Sequence, residues 1–443
     1  MKNVNIILLS GGSGKRLWPL SNDVRSKQFI RIFNREDGER ESMLMRVYRQ
    51  IYSVMPCADV TIATSRKQVS TIRSQLGEKV HICVEPQRRD TFPAICLAAS
   101  YLRDTQGLAE DQIVVVCPVD PYVERSYFES VLELSQMATQ GKSNLCLMGI
   151  EPSYPSAKYG YILPEDGERI SRVREFHEKP DEETAREYIK QGALWNGGVF
   201  AFRLGYLIQR AHEILDFKDY WDLYNRYEQQ EKISFDYAIV EKEPQISVLR
   251  YRGQWKDLGS WNTFTECMEK QYIGKVTMDL TCVNTHVINE LNIPVLCMGC
   301  RDMVVATSAD GILVSDKNQS SYMKPYVEEI EQQVMYAEKS WGSFTVLDVQ
   351  EKSMIIKVLL RPGNRLHYHS HEHRDEVWTV VSGQGRTLLD GVEKEVSVGD
   401  VIRMPAGCKH TIIADTMLQV IEAQLGSEIS ADDKKKWELP GIS

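Results

Sequence analysis

No run of about eighteen uncharged apolar residues occurs in the sequence, so a membrane-spanning helix is not expected. A cleavable leader is not expected either. The apolar run Ile6–Leu9 is short, has only Lys2 as a basic flank, and enters a glycine loop. Positive charge is in deficit, with 53 Lys and Arg against 62 Asp and Glu and a formal net charge of −9. That balance argues against a general nucleic-acid binder, and a polyanionic ligand would need a local basic site. Ten cysteines are scattered without the paired spacing of a disulfide framework, which points to reduced thiols and a cytoplasmic protein. The one CxxC, Cys297 to Cys300, has no second pair beside it and reads as structural. Neither a repeat nor a low-complexity tract is evident.

What is present is a folded-protein composition, 42% apolar and 26% charged, in 443 residues, enough for two or three domains. Residues 1–270 alternate short apolar runs (Ile6–Leu9, Val60–Ala63, Val80–Val84, Ile113–Cys117) with stretches of helical period at 43–54 and 127–139. This alternation is that of an α/β domain built on a mostly parallel sheet, with ligands at the carboxyl ends of its strands. Residues 275–337 hold short β-branched runs and then a helical connector at 321–337, giving a small all-β module. From 338 to 427 longer alternating strands are separated by Gly and Pro turns, the pattern of an antiparallel barrel or sandwich.

Ser10-Gly11-Gly12-Ser13-Gly14-Lys15-Arg16-Leu17 follows the first strand directly. Glycines there let backbone N–H groups approach phosphate oxygens, and the two cations add charge. A Walker A loop is excluded, because Arg16 and not Ser or Thr follows Lys15; a dinucleotide fingerprint lacks its third glycine. Read with Trp18-Pro19-Leu20-Ser21 and Ser26-Lys27-Gln28-Phe29, the segment resembles the nucleotide-binding signature of the mannose-1-phosphate guanylyltransferase family.

The resemblance implies a Rossmann-like, GT-A-like mixed-sheet domain in which Gly11, Gly12, Gly14 and Glu85 hold the nucleotide, Arg16 neutralises pyrophosphate and Lys27 the α-phosphate. Chemistry agrees, since nucleotidyl transfer is an in-line displacement in which the protein supplies positioning and cations. Asp120, just past the strand ending at Cys117, and Asp257, in Trp255-Lys256-Asp257-Leu258-Gly259-Ser260-Trp261, match the family's two Mg²⁺-binding motifs. Alone, each Asp would read as a turn or helix cap. Phe176-His177-Glu178-Lys179-Pro180, Tyr159-Gly160-Tyr161-Ile162 and Trp195-Asn196-Gly197-Gly198 resemble its sugar-phosphate segments, with Gly160, Glu178 and Asn196 on the sugar and Lys179 on its phosphate. Asp236-Tyr237-Ala238-Ile239-Val240-Glu241-Lys242 is similar to the segment that follows them. The sequence departs from the family at Arg88, Asp90 and Phe92 near the base and at Gly197 near the sugar. Another sugar 1-phosphate or another nucleoside triphosphate therefore stays open.

Five of the nine histidines lie between 367 and 410. His369 and His371 share a face on a strand of period two, and Glu376 and His410 complete a spacing that resembles the two cupin motifs. Three imidazoles and one carboxylate suit Zn²⁺, Fe²⁺ or Mn²⁺, with Zn²⁺ or Fe²⁺ expected. Bifunctional relatives carry a phosphomannose isomerase cupin at this end. His369, Glu372, Val377 and the tail 431–440 depart from its pattern, so metal binding is expected and isomerisation remains the alternative. The reading is thus an Mg²⁺-dependent enzyme acting on GTP and mannose 1-phosphate, with no nucleic-acid or membrane partner and with homo-oligomerisation left open.

Overall fold

The computed structural model describes residues 4–12, 14–22, 24–330, 333–430 and 432–439, with the backbone alone for Gly14 and Lys15. The chain forms two compact units. One comprises Met1–Ser13, Lys27–Val69 and Lys79–Glu269; the other comprises Gly14–Ser26, Ser70–Glu78 and Lys270–Ser443.

The first unit is built on a nine-stranded sheet. Its order is His81–Glu85, Asp59–Ser65, Asn5–Ser10, Ile113–Pro118, Leu194–Arg203, Leu145–Ile150, Ile246–Tyr251, Ile170–His177 and Tyr161–Pro164. The first four are parallel, so their carboxyl ends share one edge. Beyond them the sheet is mixed, as the family resemblance implies and as the strand–helix alternation alone does not. Leu194–Arg203 runs antiparallel to both of its neighbours, and Ile170–His177 to both of its own. Tyr161–Pro164 also pairs with Leu194–Arg203, which closes the last five strands into a ring. Buried apolar runs fill parallel and antiparallel strands alike, so burial pattern alone does not encode direction.

Helix Met43–Val54 forms where Ser42 accepts from the Met45 N–H and where Met43, Leu44, Val47 and Ile51 supply a buried stripe. Helix Thr91–Asp104 buries Phe92, Ile95, Cys96, Leu97 and Leu102 in the main core. Arg125–Gln140 ends at Gly141, whose left-handed φ of 68° only glycine adopts without strain.

In the second unit the small β module combines parallel pairs with one antiparallel pair, Met303–Ser308 with Gly311–Asp316. Tyr272–Ile273, His286–Asn289 and Met303–Ser308 lie side by side, and Val276–Met278 pairs with Val295–Cys297. Val287, Cys297 and Val305 form its core, with Cys282 and Cys300 packed against them. Among the described residues the expected helical connector is shorter than 321–337: a 3-10 turn at Gln319–Tyr322 is followed by α-helix at Lys324–Glu328, and Tyr336–Lys339 is a strand. Val327 is the one residue of that helix to be buried, too little apolar face to extend it.

The C-terminal region is a two-sheet cupin barrel. Six antiparallel strands centre on Ser353–Leu360, Leu418–Gly426 and Arg374–Ser382; five centre on Gln384–Leu389 and His410–Ala414. Val358, Leu360, Trp378, Val380, Ile412 and Val420 lie between the sheets. No helix among the described residues is long and apolar enough to cross a membrane.

Candidate active site and metal centre

The carboxyl ends of the four parallel strands open into a cavity of about 450 Å³, lined by Gly11, Gly12, Lys27, Glu85, Asp120 and Lys232 among others. A Cβ at Gly11 would meet nothing within 4 Å, and one at Gly12 only Gln28 Oε1 at 3.9 Å. Internal packing therefore does not demand these glycines, whereas close approach of a ligand to bare backbone would. Glu85 accepts hydrogen bonds from the Tyr227 hydroxyl at 2.8 Å and the Arg89 N–H at 3.2 Å. Burial nevertheless pushes its carboxyl above the ordinary carboxylate range. Gly14 and Arg16 lie on the turn Gly14–Leu17, which belongs to the second unit, and Arg16 is exposed there.

Lys27 opens a 3-10 turn whose next two residues, Gln28 and Phe29, are buried, and Gln28 donates to Ser10 Oγ at 3.2 Å. This anchors the lysine beside the first strand. Its Nζ lies 2.9 Å from Asp120 Oδ2 and 3.6 Å from Asp257 Oδ1. The two aspartates meet because Pro121–Val123 and Trp255–Asp257 form an antiparallel ribbon with Asp257 opposite Pro121. Behind it Ser260 caps a short helix that buries Trp261 and Phe264. The donor set fits a hard cation, because both groups offer carboxylate oxygens and both reach one point of positive charge.

A second cluster adjoins the cavity through the glycines of Leu194–Arg203, where a Cβ on Gly198 would touch Pro118 Cγ at 3.8 Å. A bulge between Asn196 and Phe200, with Gly198 at φ 69°, turns Asn196 onto Asp236, whose Oδ1 accepts from Asn196 Nδ2 at 2.6 Å. The Asn196 N–H donates to the Gly160 carbonyl at 2.8 Å. A Cβ on Gly160 would lie 2.5 Å from Glu178 Oε2, so the carboxylate occupies space that only glycine leaves. Glu178 pairs with Lys179, whose φ of 47° is left-handed. Tyr159 packs on Trp195 at 4.8 Å and on Trp255 at 5.5 Å, an aromatic wall joining this cluster to the aspartate ribbon.

Gly160, Glu178, Lys179 and Asn196 are therefore together. Asp236 stands with them and was not singled out from the sequence, although its segment carried the resemblance. Burial and the charge of Glu178 push its carboxyl up to about 7.

In the cupin, His369, His371, Glu376 and His410 are all buried, with one ligand atom from each within 4.8 Å of the others. Each imidazole is held by Nδ1 on a backbone carbonyl: His369 on His367 at 2.6 Å, His371 on Asp433 at 2.8 Å, His410 on Cys408 at 2.9 Å. With Nδ1 so engaged, Nε2 is the ring nitrogen each imidazole can offer a metal, although that of His371 also lies 3.3 Å from Arg374 Nη2. His371 Nε2 lies 2.9 Å from Glu376 Oε1 and His410 Nε2 3.1 Å from Oε2. Burial alone would raise Glu376, yet the hydrogen bonds from His371 and His410 hold it well below the usual range. Burial pushes His369 down to about 2, so it is a neutral donor at physiological pH. The donor set fits a transition metal.

Comparison with known proteins follows this division. Residues 5–272 match the family model described as nucleotidyl transferase, and residues 327–438 the one described as mannose-6-phosphate isomerase C-terminal. A provisionally named mannose-1-phosphate guanylyltransferase of Vibrio cholerae is 30% identical, covering 98% of this chain and 99% of its own. Mannose-1-phosphate guanylyltransferase 2 of Escherichia coli O157:H7 is 28% identical over 96% of each. A solved Thermus thermophilus protein, described as a mannose-1-phosphate geranyltransferase, superposes with a TM-score of 0.62 at 26% identity. It covers 74% of this chain and 99% of its own. Matched by that family model over more than half its length, with the parallel-strand cavity inside the matched part, the chain belongs to the nucleotidyl transferase family.

Proposed function

We propose that this protein transfers the guanylyl group of GTP to mannose 1-phosphate, releasing pyrophosphate and forming GDP-mannose, with Mg²⁺ in the cytoplasm. The observation that carries the reading is Lys27 held between Asp120 and Asp257 at the edge of a cavity floored by two exposed glycines. The names of the full-length relatives support the substrate pair.

In this reading Gly11 and Gly12 bring backbone to the triphosphate, and Glu85 borders the base. Lys27 sits where charge grows on the α-phosphate, and Arg16 answers the pyrophosphate. Asp120 and Asp257 would hold Mg²⁺, which supplies charge neutralisation between the phosphates when bound. Lys179 brings the sugar phosphate in as a second anion, while Glu178, Asn196 and the Gly160 carbonyl meet sugar hydroxyls. Residues 1–270 thus carry the transfer, and 338–427 bind Zn²⁺ or Fe²⁺ through His369, His371, Glu376 and His410.

Intact preorganisation of that metal site supports a second reading, in which the cupin also interconverts mannose 6-phosphate and fructose 6-phosphate. A pyrophosphate-release panel of four nucleoside triphosphates against several sugar 1-phosphates tests the first. GTP with mannose 1-phosphate should give the highest kcat/KM, and preference for another pair would replace it.

A further inference from the structure

The loop between strand His81–Glu85 and helix Thr91–Asp104 is fixed on both sides. Glu85 takes the Arg89 N–H, and the Arg89 guanidinium donates to Gln87 Oε1 at 2.8 Å and to the Glu228 carbonyl. Asp90, at a left-handed φ of 68°, caps the Thr91 N–H at 2.8 Å. The Phe92 N–H is bonded to the Ile233 carbonyl at 3.2 Å, which ties in the segment carrying Lys232. From this rigid base Arg88 reaches the glycine loop, where Nη2 donates to the Gly12 carbonyl at 3.3 Å. Arg88, Gly12 and Lys27 line the same cavity, and the charge of Arg88 also acts on Glu85.

We propose that Arg88 is a latch for the triphosphate loop, a positioning residue that orders Gly12 before the nucleotide arrives. Glycine-rich backbone has the most conformational freedom to lose, so fixing a loop that must cradle phosphates costs affinity unless something orders it beforehand. A guanidinium suits the task. It is permanently charged, offers several N–H donors in a fixed plane, and can hold a carbonyl while adding positive potential to the cavity wall. The stiffness of the Glu85–Asp90 loop is what allows Arg88 to transmit order to Gly12.

The inference rests on the transfer reading for its ligand, and its test separates the two. Hydrogen exchange of the peptide containing Gly11 and Gly12 is followed in the full-length, nucleotide-free protein for wild type, Arg88→Ala and Arg88→Lys. Exchange should quicken in Arg88→Ala and return towards wild type in Arg88→Lys, which restores a charged donor. In steady state Arg88→Ala should raise the KM for GTP about tenfold, the scale of one charge-assisted hydrogen bond at a partly exposed site, with kcat within about twofold and the KM for mannose 1-phosphate unchanged. Unaltered loop exchange would overturn the latch, even if the KM for GTP rose, because Arg88 would then act as a plain cation. A fall in kcat without a change in the KM for GTP would overturn it as well. Wild-type protein that bound no nucleoside triphosphate would sink the transfer reading and the latch together, whereas normal GTP binding with unmoved exchange would sink the latch alone.

Discussion

Asp257 faces Pro121 across the two-stranded ribbon, and this places its carboxylate and that of Asp120 on the same lysine ammonium, Lys27. Neither strand of the ribbon exceeds three residues, so the geometry depends on the pairing of segments far apart in sequence.

Replacing either carboxylate should abolish most turnover. Asp120→Ala and Asp257→Ala are each expected to lower Mg²⁺-dependent pyrophosphate release at least about a hundredfold, the usual scale for losing preorganised charge at a transition state. Near-normal release by one variant would remove that residue from the reaction.

On the sugar side, Gly160→Ala puts a methyl where Glu178 Oε2 would be only 2.5 Å away and Phe176 Cζ 2.9 Å. Something must move, and the carboxylate is the more mobile group. Gly160→Ala and Lys179→Ala should both raise the KM for the sugar phosphate, by about tenfold or more, and leave that for GTP nearly unchanged. Separate titration of each substrate reads this; a change confined to GTP would refute the assignment.

Asp236 sets a pH dependence. Its carboxyl titrates at about 7 in the fold against an ordinary value of 3.8, so between those values the folded state holds a proton that the unfolded chain has lost. Its stabilising share is complete below 3.8, declines as pH rises and is gone above about 7. Asp236→Asn removes that dependence, and its melting temperature should fall less than that of wild type between pH 5 and 8. Parallel melting curves for the two proteins would contradict it.

For the cupin, full-length protein prepared without chelator should retain about one transition metal ion per chain, and His369→Ala combined with His371→Ala should lose it. The double variant should still release pyrophosphate, because Lys27, Asp120 and Asp257 all lie in the other unit. Elemental analysis and the transfer assay decide both halves. Metal-free wild-type protein would defeat the claim, and metal-dependent interconversion of mannose 6-phosphate and fructose 6-phosphate would establish the second activity.

Much of the fold was legible where local rules act alone. The strands Asn5–Ser10 and Ile113–Pro118 and the helix Met43–Val54 are written in short apolar runs and a three-to-four spacing. The cupin histidines were legible because two motifs carry all four candidate ligands. Pairing was not legible. The reversal of Leu194–Arg203, the double pairing of Tyr161–Pro164 and the parallel pairs of the small module are tertiary choices made by register and crossover. The 321–337 segment misled because its few apolar positions have helical spacing, whereas Tyr336–Lys339 takes its conformation from the edge of the six-stranded sheet. Asp236 escaped notice because nothing in its own segment announces Asn196 and Glu178, forty and more residues away.

The interleaving of the two units has a consequence for synthesis. Residues 14–26 leave the ribosome early, yet their partners are Glu290, which binds Arg25 at 2.7 and 2.9 Å, and Asp310, which accepts from Asn22 at 2.8 Å. The segment 70–78 likewise waits for Ser340, whose N–H meets Ser70 Oγ at 2.7 Å, and for Arg361, which bonds Ser74 Oγ at 2.8 Å. At about 5–20 residues per second, the basic arm carrying Arg16 stays without these contacts for tens of seconds after it emerges. A nascent or prematurely released chain ending near residue 270 therefore lacks the partners of that arm. Production of a shortened fragment would meet the same gap, because translation must reach residues 290–361 before the segments 14–26 and 70–78 acquire these partners.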